Sequence, residues 1–367
     1  LSNYGIDSAK VLLHEAIDNG NLEKGLLALY NLELDNEEYI EAEKTLDRFT
    51  SEFPERDQDK SKYSTLYEKQ GNIEKAREIL LERETLDPLD SDIQVDLAYL
   101  DFKSLNISEA HKRIETGLKQ TSTLTDSINM IWAKSYFSRM SGEINDAITL
   151  VTEYEKYALQ RTPKSALLAM TIANKADLYY SIGKHEKVNN LLSELNEYSP
   201  EDTDQHRCTL TIHSFMSEFV TEIDAKEITE CRETYQMFSD GYGDYIDVIL
   251  LYLEGAYEQS IEKLEKDDGR VKSLFSNKSF LANIYAKAGD LDKAKALIMR
   301  EIDSKTSKPI FYYKMALLLE NENKQEAIKY LNIALQYWAN ADDDYIPLQK
   351  AKALAERLVD YDITNSG

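Results

Sequence analysis

The feature that most constrains this chain is a spacing. Ala42, Ala76 and Ala110 stand 34 residues apart, and Pro54 and Pro88 repeat the same interval. The series runs on through Ala147, Val188, Ser260, Ala294 and Ala327 at intervals of 37, 41, 72, 34 and 33. A second small residue precedes most of these by twelve, at Ser64, Ala98, Ser135, Ala176 and Ala282. Two small positions in fixed phase are what antiparallel helices need where they cross, because a larger side chain there forces the backbones apart. A unit of that length cannot bury its own apolar face, so copies must stack on one another.

The stretch from Asp57 to Asp90 shows the unit most clearly. Tyr63 and Tyr67 stand four apart on a first helix that stops at Gln70-Gly71-Asn72, and Ile73, Ala76, Ile79, Leu80 and Arg83 follow on a second helix that ends at Asp87-Pro88. Apolar residues three and four apart give each helix one buried stripe. Gly71 permits a tight turn and Pro88 cannot continue a helix, so both mark ends. With Tyr, Gly, Ala and Pro at these places in a 34-residue period, the chain resembles the tetratricopeptide repeat family. The resemblance implies an all-α, right-handed superhelical solenoid of stacked antiparallel helix pairs, about eight units plus capping helices.

Taken in order, residues 1–22 read as an N-terminal capping helix, Ile6 to Asp18 followed by an Asn19-Gly20-Asn21 turn. Residues 23–200 read as repeat units that lengthen after 125, with Asn106-Ile107-Ser108 replacing the usual turn glycine in one of them. The pattern decays over 201–254, where helices fit Thr203 to Glu222 and Lys226 to Phe238 but no small residue falls in place, so the 72-residue interval spans two units with one degenerate copy between. Regular units return over 255–340, and 341–367 read as a capping helix. Its apolar face is Leu348, Ala351, Leu354, Ala355 and Leu358, with Lys350, Lys352, Glu356 and Arg357 outside. Together with Trp338 and the acidic linker, this tail also looks like the ends of tetratricopeptide arrays attached to bacterial signalling proteins. The chain begins at Leu1 rather than Met, as expected of a piece of a longer protein.

Only 6 prolines and 13 glycines in 367 residues favour helix nearly throughout. The formal net charge of −24 argues against a nucleic-acid partner, whose phosphates are bound by clustered Lys and Arg, and favours a neutral or basic protein or peptide partner. Acidic solvent faces that keep a large helical protein soluble explain the same charge. No apolar run approaches the ~20 residues that span a bilayer, so no membrane contact is expected of this region. Two cysteines, Cys208 and Cys231, point to a reducing compartment rather than a disulfide framework, although they fall on consecutive expected helices and could pair. The expected location is cytoplasmic, with the periplasm open if an anchor lies upstream.

Chemistry finds little footing. His206 and His213 stand seven apart on one expected helix, about 10 Å along its axis, so one zinc ion cannot reach both. Gly241-Tyr242-Gly243 lacks the further glycine and preceding strand of a phosphate cradle and reads as a turn. Asp342-Asp343-Asp344 starts like a calcium loop, but Pro347 follows where the turn glycine belongs, and a solvated helix cap accounts for the run. No cofactor and no enzyme activity are expected.

If the resemblance holds, the first helices line a concave groove, and positions five, nine and twelve of each unit face inward. These read Val95, Tyr99 and Phe102, then Trp132, Tyr136 and Arg139, then Ala173, Asp177 and Tyr180. Two readings fit this aromatic run with its arginine. One is a peptide groove, since Tyr and Trp give rigid contact area and Arg holds a carboxylate; the other is packing between neighbouring first helices. The clamp by which some family members hold chaperone tails needs Lys at five and Asn at nine. Only Asn283 sits at nine, with Ser279 at five, so chaperone tails are not expected partners. The favoured function is a non-enzymatic protein-interaction scaffold. The alternative is a regulatory domain that senses a small molecule or short peptide by a change in superhelix curvature.

Overall fold

The structure is a computed structural model that describes residues 6–56, 61–121, 123–160, 164–198, 200–219, 225–236, 240–266, 271–272, 275, 277–303 and 308–365. The expected unit start at 57–60 lies outside these. Among the described residues every regular element is an α-helix. The chain divides into two units, Leu1–Ser122 and Thr123–Gly367, each described by itself.

The first unit holds α1 (Ile6–Asp18), α2 (Leu22–Asp35), α3 (Tyr39–Glu52), α4 (Lys62–Lys69), α5 (Ile73–Leu86), α6 (Ser91–Lys103) and α7 (Ile107–Gln120). Ala42, Ala76 and Ala110, on α3, α5 and α7, are all 0% exposed, so the small-residue series marks the closest helix crossings as expected. The turn before each of these helices follows the same ruler. Glu37, Gly71 and Leu105, each 34 after the last, all take left-handed backbone with φ of 62°, 79° and 63°. The packing of the pair therefore imposes the turn even where no glycine supplies it, at a local cost of about 1–2 kcal/mol at Glu37 and at Leu105. Starts are capped where Asn72 Oδ1 accepts from Lys75 N–H, and where Asp90 Oδ1 accepts from Asp92 and Ile93 N–H. Asp101, 3% exposed, is held between Arg77 at 2.7 Å and Arg113 at 3.5 Å, which keeps a buried charge paired.

The second unit holds α8 (Leu124–Ser141), α9 (Ile144–Ala158), α10 (Lys164–Ser181), α11 (His185–Tyr198), α12 (Pro200–Met216), α13 (Ala225–Gln236), α14 (Asp240–Leu253) and α15 (Tyr257–Glu265). It continues with α16 (Lys278–Lys287), α17 (Leu291–Asp303), α18 (Pro309–Leu319), α19 (Lys324–Tyr337) and α20 (Ile346–Asn365). Ala147, Val188, Ser260, Ala294 and Ala327 are again 0% exposed. At two crossings the partner twelve residues away is seen directly: Ser135 Oγ donates to the Ala147 carbonyl at 3.4 Å, and Ser260 Oγ to the Val248 carbonyl at 3.4 Å. Gly241–Gly243 lie in the first turn of α14, not in a turn between elements.

The degenerate copy is α12 with α13, and here the cysteine expectation is corrected. Cys208 and Cys231 form a disulfide across these two helices, their Cα atoms 5.3 Å apart. A pair without the small residues that let helices approach closely is fastened by a covalent bond instead. Reducing it should lower the stability of the second unit by about 3 kcal/mol, the loop-closure contribution of a bond at this separation. Melting with and without dithiothreitol, together with mass-tagging of free thiols, checks this; two thiols titrating in air-purified protein would disprove the bond.

A second correction concerns the acidic run before the last helix. Asp342 N–H donates to the Gly142 carbonyl at 3.0 Å, and Asn145 N–H to Asp342 Oδ2 at 2.8 Å. Trp338 Nε1 donates to the Met140 carbonyl at 3.2 Å, with the indole 1% exposed. The segment therefore folds back onto the turn between α8 and α9 and closes the unit on itself, where a solvated helix cap was expected. On α20, Leu348, Ala351, Leu354 and Leu358 are buried as expected, but Lys350 turns inward and donates to the Glu218 carbonyl at 2.6 Å.

Candidate functional site

The closure gives α8 its importance. Trp132, Tyr136 and Arg139 follow one another at helical spacing along one face of this helix. Trp132 is 43% exposed, the one aromatic among the exposed large hydrophobics of the described residues, and packs at 5.2 Å on Tyr154 of α9. Tyr136 is half-buried. A small cleft of about 30 Å³ runs past both to Arg139, bordered by Asn174 and Leu178 of α10.

Arg139 also faces a larger cavity of about 230 Å³ inside the closed unit, lined among others by Asp177, His213, Ser279, Lys308, Phe311 and Trp338. Its guanidinium pairs with Asp177 of α10, so positions twelve and nine of consecutive units meet. Of its side chain, 34% stays accessible, and it lines both the small cleft and the cavity. Burial pushes its pKa down. His213 Nδ1 lies 3.2 Å from the other oxygen of Asp177, yet its pKa falls to about 4, first through burial and then through the charges of Arg139 and Lys308. The imidazole is neutral near pH 7. Burial of the Lys308 ammonium, and Arg139 after it, push that pKa down too. Burial holds the Tyr345 phenol neutral at the same wall.

Beside the cavity, Glu218 takes left-handed backbone, φ 58°, just after α12. Its carboxylate is clasped by Asn283 of α16, Lys314 of α18 and Lys350 of α20. Burial opposes its charge, but the two lysines and the amide win and hold its carboxyl below the usual range. Asn283, the one residue matching the chaperone-tail clamp, is thus committed to the chain's own carboxylate, and the bend it stabilises sets Ser217 and Phe219 at the cavity wall.

The remaining expected site residues lie elsewhere. Tyr180 stands edge-on to His185 at 5.4 Å and lines a separate cavity of about 650 Å³ that the Cys208–Cys231 bond also borders. Tyr99 and Phe102 belong to the first unit; Tyr99 is half-buried and Phe102 is 4% exposed. Trp132, Tyr136 and Arg139, grouped by the sequence, lie on one helix face, while His213, Lys308 and Trp338, which the sequence did not group with them, line the cavity with Arg139 only because the chain returns to α8. The proline at the start of α18 was the one local signal near them. No group of His, Cys, Asp and Glu that could hold a metal ion occurs among the described residues, and no helix among them is long and apolar enough to cross a membrane.

No protein-family model matches the chain, and no curated protein matches it. Among solved structures it is similar to a tetratricopeptide repeat protein from Parabacteroides merdae, at 12% identity and a TM-score of 0.34 over 81% of this chain and 96% of that one. It is also similar to the APC/C hetero-tetramer Cut9–Hcn1, at 12% identity and a TM-score of 0.42 over 97% of this chain and 82% of that one. A third is the P58(IPK) TPR domain, at 13% identity and a TM-score of 0.24 over 91% of this chain and 98% of that one.

Proposed function

We propose that this chain is a non-enzymatic interaction scaffold of helix-pair repeats that binds a protein or peptide along α8. The observation that carries this is the exposed Trp132, backed by Tyr154 and followed on the same helix face by Tyr136 and Arg139. A tryptophan held rigid yet left open to solvent is the residue type that anchors interfaces. Tyr99 serves as a contact in the first unit by the same reasoning, with buried Phe102 three residues on in the same helix. The expected preference for a neutral or basic partner applies to the acidic outer faces; at Arg139 the partner presents an acceptor.

Replacing Trp132 and Tyr136 together by alanine should weaken partner binding at least about a hundredfold while leaving helix content intact, since each anchor of this kind contributes about 2 kcal/mol or more. Titration of the purified partner against both forms, alongside circular dichroism, decides it. Unchanged affinity in the folded double variant would remove α8 from the interface. The proposal keeps the setting implied by the tail, a portion of a larger bacterial signalling or regulatory protein. It shifts the compartment: a disulfide favours the periplasm or another oxidising space over the cytoplasm.

A further inference from the structure

The cavity behind α8 carries more than the end of a peptide groove. In a chain with 67 acidic and 43 basic residues, its wall gathers Arg139, Lys308 and the neutral His213 around one carboxylate, Asp177, which Arg139 already engages. The Lys308 side chain makes no ion pair or hydrogen bond among the described residues, and Lys308 is the N-cap of α18, whose first turn is closed by no side chain. Of the first three residues of α18, Pro309 has no N–H and the Phe311 N–H bonds the Lys308 carbonyl, which leaves the Ile310 N–H and the positive dipole end beside the same space. Ser279, 7% exposed, lines the same cavity. The opposite wall is apolar, with Trp338, Phe311 and Met140.

Lys308 is exposed and has no carboxylate partner among the described residues, so an anion entering here meets a positive charge that the protein does not itself neutralise. A volume of about 230 Å³ holds about eight waters at the ~30 Å³ each takes in the liquid, which is too little for a folded segment and enough for a small molecule.

We propose that this cavity is a binding site for a small organic anion, its carboxylate or phosphate head held by Arg139, Lys308, Ser279 and the first turn of α18, its apolar body against Trp338 and Phe311. The site is distinct from the Trp132 face, although Arg139 borders both. Because its walls come from α8, α18 and the closing segment at once, an occupant ties the closed unit together, which gives the array a ligand-responsive element.

The chain has two tryptophans, so Trp132→Phe leaves Trp338 as the only one, a reporter in the cavity wall. In that background, at constant ionic strength, benzoate and phenyl phosphate should each give a saturable fluorescence change, and benzyl alcohol of like shape none. The tighter of the two acids identifies the head group. Inorganic phosphate should displace them, and it should bind more weakly than phenyl phosphate because it lacks the apolar body. Lys308→Gln, at an accessible position that does not threaten folding, should weaken binding at least about tenfold, the effect of losing one charge-assisted contact. The proposal is overturned if neither acid gives saturation, if benzyl alcohol does as well, or if Lys308→Gln binds unchanged. Failure of the Trp132 and Tyr136 double variant to lose its protein partner would leave this result standing, since the two readouts are separate.

Discussion

Ala76→Glu should unfold the first unit. Ala76 is 0% exposed, and Leu80, Tyr67, Ile93 and Leu97 share its cluster. A glutamate there has no room for its two added carbon atoms and its carboxylate in the apolar cluster. Both mechanisms belong to the short list that produces losses of about 4 kcal/mol or more, comparable to the stability of a whole small unit. The expected result is loss of the cooperative melt and of amide protection across α4 to α7. Ala76→Ser is the control, because serine already fills the equivalent place at Ser260, 0% exposed; it should lose about 1 kcal/mol. A wild-type melting curve for Ala76→Glu would refute the repeat register itself, because that register is what puts the position at a crossing.

Gly142→Ala should open the closed form of the second unit. Gly142 has φ of +78°, and a Cβ built on it would come within 2.5 Å of the Ala341 Cβ and 2.7 Å of the Tyr345 ring. The left-handed backbone alone costs about 1–2 kcal/mol for a residue with a side chain. Overpacking adds about 1–3 kcal/mol. The helices of the unit need not unfold to relieve this; the segment around Asp342 has only to lift from the turn between α8 and α9. Hydrogen exchange should show the amides of Asn145 and Asp342 losing protection selectively, and Trp338 fluorescence should shift as the indole loses its bond to Met140. The same alanine at Gly71, φ +79° with nothing within 4 Å of its Cβ, pays only the backbone term. Equal effects at the two glycines would mean that closure contributes nothing. If anion binding at Arg139 needs the closed form, Gly142→Ala weakens it as well.

The contrast between these two experiments is also the contrast between what was legible and what was not. Ala76 could be placed from the sequence because its environment is set by residues within about one repeat of it. Each helix pair repeats the same local problem, and the same small residue solves it each time, so the solution shows as a period. The turns at Glu37 and Leu105 follow the ruler against their own side-chain preferences, which shows the pair geometry outranking local propensity. The stripe of Trp132, Tyr136 and Arg139 was legible for the same reason, being a property of one helix.

Gly142 reads only as a turn glycine in the sequence, and nothing near it announces Ala341 or Tyr345. The contact that singles it out crosses some 200 residues, and such a contact leaves no periodic trace. Cys208 and Cys231 were visible as a possible pair, but whether they bond depends on how two helices of a degenerate unit meet. Lys350 was assigned to solvent because its helix face is polar, yet α20 returns past Glu218 and Lys350 meets it, while Lys352, Glu356 and Arg357 of that face stay exposed.

By itself, then, the sequence determined the all-α helix-pair repeat, the phase of its crossings and the aromatic face of α8, because these depend on neighbours along the chain. The tertiary structure alone decided that the second unit closes through Asp342, that Cys208 binds Cys231, and that Arg139 meets His213 and Lys308 in one cavity. Those arrangements follow from the accumulated angles between successive helix pairs, a sum over many small rotations that no single repeat encodes.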